Sequence, residues 1–86
     1  MNEADLRTVV LGALAATAPE ADLSQLAPGE DIRDALDLDS MDVLRFATAL
    51  HDRLGVEVPE SDYAQITTVD GCVRYLEHRL PPSTGA

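Results

Sequence analysis

Lysine is absent from this 86-residue chain, and cysteine occurs once. Without lysine the six basic residues are all arginine, against 16 Asp plus Glu, for a formal net charge of −10. A field of that sign repels nucleic acid and anionic membranes, and it steers the chain toward basic protein surfaces. The lone Cys72 cannot form an internal disulfide or a cysteine zinc cluster, so a reduced, cytoplasmic setting is expected. No charged start followed by a long apolar run occurs, so neither a signal peptide nor a membrane span is expected. The length is enough for one domain, which buries a modest share of its surface. A deep, water-excluded catalytic cavity is hard to build at this size, which argues against an enzyme. High net charge can also mark disorder. Here 45% of the residues are hydrophobic and they are patterned, which argues for a folded chain.

What is present is helical periodicity. From Asn2 to Thr17, Leu6, Val10, Ala13, Leu14 and Thr17 follow helical spacing, with Asn2 as cap, Asp5 as its partner three residues on, and Pro19 as terminator. Ala18 to Asp39 reads as a long connection holding Pro19, Pro28 and Gly29, pinned to the core by Leu23, Leu26, Ile32 and Leu36. A loop of that length is functional or conceals a helical turn, for which Ile32 to Leu36 is the candidate. Ser40 to Leu54 is the clearest helix, with Gly55 just past its end. Val56 to Pro59 is too short and proline-bounded for a strand, and Glu60 to Ile66 reads as a short helix. The last helix is expected from Thr68 to Leu80, capped by Thr67, with Val69, Cys72, Val73, Leu76 and Leu80 as its buried stripe. Residues 1–80 then form one all-α, four-helix bundle of three main helices and one short one, and residues 81–86 a disordered tail.

The chemistry concentrates at Asp37-Leu38-Asp39-Ser40-Met41-Asp42. Asp39 is a good N-cap and Asp42 takes the third helical position, so Ser40 stands in the first turn. Free N–H groups and the helix dipole there favour an anion, and a phosphodiester on Ser40 Oγ would find a local site. The flanking carboxylates repel phosphate, so a basic partner must deliver it. With residues 100° apart, Val43, Phe46, Ala47, Leu50 and Leu54 form the core face. Met41 points away from it, beside Arg45 and Asp52, and Leu44 either joins this outer surface or packs under the first connection. Apolar groups ringed by charge make a small transient docking surface.

These residues resemble a known family. Asp39-Ser40-Met41 looks like the Asp-Ser-Leu signature of acyl carrier proteins, with Met in place of Leu. Leu54-Gly55-Val56-Glu57-Val58-Pro59 and Ile66-Thr67-Thr68-Val69 are similar to that family at matching spacing, so the resemblance runs from about Ile32 to Leu80. It implies a bundle of three long helices and a short one. It implies a serine, here Ser40, esterified with 4′-phosphopantetheine that a phosphopantetheinyl transferase takes from coenzyme A. The arm's thiol would carry acyl groups as thioesters. Asp39, Met41 and Asp42 would contact the transferase and other partners, such as an acyl-activating ligase, a ketosynthase or an acyltransferase. Leu50, Val58, Ile66 and Leu76 would line a shelter for the acyl chain. A monomer suits such a shuttle, and its protein part performs no catalysis.

Departures narrow the expectation. Asp37 stands where the family usually has Gly, which puts the loop conformation in question. Arg45, His51 and Arg53 stand where members serving fatty acid synthesis tend to carry acids, which points to a dedicated carrier for a specialised fatty acid, lipid or polyketide pathway. A carrier of aminoacyl, D-alanyl or peptidyl groups is an alternative, since D-alanine carriers can show Asp-Ser-Met. An unmodified acidic interaction domain is another. No metal site is expected: an EF-hand starting at Asp37 would place Asp42 where glycine is required and Thr48 where glutamate is required. His51 and His78 read as surface residues, Cys72 as core, and Tyr63 and Tyr75 as core-edge.

Overall fold

The computed structural model describes residues 2–80. Its three long helices are α1 (Glu3–Thr17), α3 (Ser40–Leu54) and α4 (Val69–Arg79). A short α2 (Ile32–Ala35) lies in the first connection, and Glu60–Ile66 forms a 3-10 helix between α3 and α4. A further 3-10 turn at Leu23–Gln25, capped by the Asp22 side chain, was hidden in what reads as loop. No strand occurs among the described residues. The expected tail, 81–86, lies outside them.

Each long helix starts on a side-chain cap. Asn2 accepts from the Asp5 N–H at 2.8 Å, and Asp39 from the Asp42 N–H at 2.9 Å. The third cap corrects the sequence expectation: Thr68, not Thr67, caps α4, accepting from the Gly71 N–H at 2.9 Å. Gly71 leaves room for this cap, because a Cβ there would stand 2.8 Å from Thr68 Oγ1 and 3.1 Å from the Gln65 carbonyl. The Thr67 hydroxyl instead donates to the Ala64 carbonyl and closes the 3-10 helix.

The core is one cluster. Leu6, Val10 and Leu14 of α1 meet Phe46 and Leu50 of α3 and Cys72, Val73 and Leu76 of α4, all essentially without solvent exposure. Leu54 and Leu80, both expected on buried stripes, lie at its half-buried edge. Leu23, Leu26 and Leu36 of the first connection pack against the cluster as expected, and Ile32 enters it. Two backbone bonds fasten that connection to the start of α4: Ile32 N–H donates to the Thr67 carbonyl at 2.7 Å, and Asp70 N–H to the Pro28 carbonyl at 3.0 Å. The chain between Ile32 and Ser40 is thereby held over the bundle, which fixes the entry of α3.

Asp62, on the 3-10 helix, is the anchor of that element. One of its carboxylate oxygens accepts from the Tyr75 hydroxyl and from the Arg79 guanidinium, each at 2.6 Å, and Arg79 lies over the Tyr75 ring. No helix among the described residues is long and apolar enough to cross a membrane.

Candidate functional site

Ser40 is the first residue of α3 and is exposed. Its position follows from a reciprocal cap: Asp39 accepts from the Asp42 N–H, and Asp42 accepts from the Asp39 N–H at 3.2 Å. The loop leading in turns at Asp37, whose φ of 54° lies in the left-handed region. That is the position where the resemblance expects glycine. Aspartate is among the few other residues that adopt this conformation at modest cost, so the glycine geometry survives the replacement. Leu38 N–H then bonds the Arg33 carbonyl at 2.9 Å, returning the chain toward α2.

The mouth of α3 fits an anion. Among the described residues, none hydrogen-bonds the Ser40 hydroxyl, and none accepts from the N–H groups of Ser40 or Met41. A phosphate ester on Oγ would meet these two N–H groups at the positive end of a 15-residue helix.

Ser40 also opens onto a cleft of about 590 Å³ between α3 and the 3-10 helix. Leu38, Met41 and Leu44 supply its apolar side, with Tyr63 and Ala64 opposite and Arg33 at one wall. A second hollow, sharing Leu44 and Tyr63, continues it toward His51 and Val58.

The other residues singled out in the sequence divide into two groups. Met41 and Leu44 are 56% and 44% exposed, which places Leu44 on the outer surface rather than under the first connection. Arg45 is exposed beside them and pairs with Asp42 at 3.4 Å. Asp39, Met41, Asp42 and Leu44 thus stand close around Ser40, and Arg45 joins them through Asp42. Leu50, Val58, Ile66 and Leu76 are instead buried together in the core, and of these only Val58 borders the hollows beside Ser40. Sequence reasoning missed Arg33 and Tyr63, because the first connection and the 3-10 helix meet at this cleft through tertiary packing.

His51 and His78 are exposed, and Cys72 is fully buried. Burial pushes the Cys72 thiol up to about 12, which suits a core residue and not a nucleophile.

The model of the family described as "Phosphopantetheine attachment site" matches residues 8–76. The chain belongs to this family, among the acyl carrier proteins. It is 34% identical over 59 residues to the acyl carrier protein of Rubrobacter xylanophilus, a match covering 67% of this chain and 73% of that one. It is 33% identical over 54 residues to the meromycolate extension acyl carrier protein of Mycobacterium tuberculosis, covering 63% of this chain. That match spans 47% of the relative, about half its length. A solved structure of the acyl carrier protein from Enterococcus faecalis superposes with a TM-score of 0.75 at 25% identity, covering 93% of this chain and all of that one. The carrier's cofactor is 4′-phosphopantetheine, covalently held. When attached, that group supplies a thiol that can form thioesters.

Proposed function

We propose that Ser40 bears the 4′-phosphopantetheine arm, and that the chain carries acyl intermediates as thioesters between enzymes. The observation that carries this is the Ser40 hydroxyl: exposed, without a hydrogen-bond partner among the described residues, and standing at the opening of α3 beside two free N–H groups. In the loading step Ser40 Oγ bonds to the phosphorus that bears the pantetheine half of coenzyme A. The adenosine bisphosphate half leaves, and the hydroxyl proton passes to the phosphopantetheinyl transferase.

Partners dock on Asp39, Met41, Asp42, Leu44 and Arg45. Two exposed apolar side chains within a charged rim suit a contact that forms quickly and releases after each transfer. Arg45 gives this face mixed charge, and an acyl-activating ligase, ketosynthase or acyltransferase that docks there presents both signs. Kinship with meromycolate extension carriers and the basic residues of α3 together support a specialised fatty acid, lipid or polyketide pathway. The carrier works in the cytoplasm as a monomer, and the arm raises the local substrate concentration at each docked enzyme.

Intact-mass analysis after incubation with coenzyme A and a transferase tests this. A gain of one phosphopantetheine on the wild type, absent from Ser40→Ala, is expected. No gain, or an equal gain on Ser40→Ala, overturns it.

A further inference from the structure

A phosphodiester on Ser40 brings a negative charge into a setting already lined with carboxylates. Asp37, Asp39 and Asp42 surround the attachment point within three residues. Among the described residues, the cleft beside Ser40 is bordered by one cation, Arg33, and by the carboxylates of Asp39 and Glu60, with Leu38, Met41 and Leu44 making the apolar side and Tyr63 and Ala64 facing them. Arg45 does not border this cleft and is engaged with Asp42 at 3.4 Å. Arg33 is therefore the cleft's own means of balancing the arm's charge.

Its geometry suits that role. Arg33 follows the first residue of α2, and its carbonyl holds Leu38 N–H, so its backbone is fixed relative to the entry of α3. Its side chain is half exposed, and among the described residues only Asp31 holds its guanidinium, at 2.9 Å through Nη2 and 3.2 Å through Nε. The Asp31 pair raises the Arg33 pKa, so the group stays charged at any working pH. Guanidinium groups bind phosphate oxygens through paired N–H donors; Asp31 takes the Nε–Nη2 edge, which leaves the outer Nη1–Nη2 edge to donate to a phosphate.

We infer that Arg33 binds the phosphate of the arm and lays the arm's first segment along the cleft against Leu38 and Tyr63. This rests on the proposal that Ser40 is the attachment residue. Arg33 is a positioning residue here, acting on where the arm lies and not on the thiol's chemistry. An exposed ion pair is weak, so the arm is biased toward the cleft and not locked in it. A carrier gains from that balance: the arm is sheltered between encounters and leaves when a partner binds.

The test uses the full chain loaded from coenzyme A, with mass spectrometry confirming the load. Nuclear Overhauser contacts are measured between the arm's paired methyl groups, which lie next to the phosphate, and the side chains of Leu38 and Tyr63. Arg33→Gln keeps length and polarity but removes the charge, and it should weaken these contacts about two- to fivefold. Asp31→Asn frees Arg33 and should hold or strengthen them. Added salt should weaken them in the wild type and not in Arg33→Gln. Contacts equal in wild type and Arg33→Gln, or absent from the loaded wild type, overturn the inference alone. A chain that gains no mass at Ser40 overturns it together with the proposal beneath it.

Discussion

Asp39 and Asp42 cap α3 in both directions, each carboxylate accepting the other's backbone N–H, at 2.9 and 3.2 Å. This exchange sets the first turn of the helix and so the direction of the Ser40 hydroxyl. Asp39→Ala should lower stability by about 1 kcal/mol, as loss of an N-cap does, and Asp39→Asn or Asp39→Ser should recover most of it. Urea unfolding measures this. The same variant should slow loading of Ser40 by more than its stability loss explains, because the first turn frays.

The left-handed turn at Asp37 makes an opposite pair of expectations. Asp37→Val should destabilise by about 1–2 kcal/mol, because a β-branched residue resists positive φ. Asp37→Gly should be close to neutral, relief of strain offsetting the greater freedom of glycine in the unfolded chain. Denaturant midpoints of the two variants decide it.

Two buried groups make stability fall at alkaline pH. Burial pushes the Cys72 thiol from 9.0 up to about 12. Burial, then the hydrogen bond to Asp62, pushes the Tyr75 phenol from 10.0 up to about 12. Each group is held protonated by the native chain after the unfolded chain has released its proton. Their contribution is therefore complete below pH 9 and lost as pH rises toward 12. Unfolding free energy measured across that range should decline, and Tyr75→Phe should remove the part of the decline that begins near pH 10. An unchanged slope in that variant would contradict the assignment.

Met41 and Leu44 are exposed and contribute little to the core. Met41→Ala and Leu44→Ala should leave stability within about 0.5 kcal/mol of wild type, yet weaken docking to a partner enzyme about fivefold or more, as truncating an apolar anchor does. Arg45→Glu should change which partners dock, and it also sets a like charge beside Asp42, one turn away. Association rates across a panel of partners, at low and high salt, provide the readout. Partner kinetics equal to wild type for Arg45→Glu would contradict its place on this face.

Most of this site is legible in the chain because its signals are local. Helix α3 carries a cap at each end, Asp39 and Gly55, and its apolar spacing leaves one answer for the core face. The cap of α4 was misplaced by one residue because Thr67 and Thr68 are chemically alike. The hydrogen bond from Gly71 N–H to Thr68 Oγ1 separates them, and Gly71 leaves room for it beside the Gln65 carbonyl. The Asp62 anchor joins residues 13 and 17 positions apart, and the cleft joins α2, α3 and the 3-10 helix. Neither leaves a periodic trace. Leu44 sits at the boundary of its helical wheel, so its exposure depends on how far the 3-10 helix stands from α3.

Trypsin offers the most direct measurement, because the chain has no lysine and cleavage after Arg33 and Arg45 releases Asp34–Arg45. Ser40 is the one hydroxyl-bearing residue in that peptide. After treatment with coenzyme A and a transferase, this peptide should bear the phosphopantetheine mass, with fragment ions placing it on Ser40. The added mass on any other peptide, or an unmodified Asp34–Arg45 from a fully folded chain, would contradict the account.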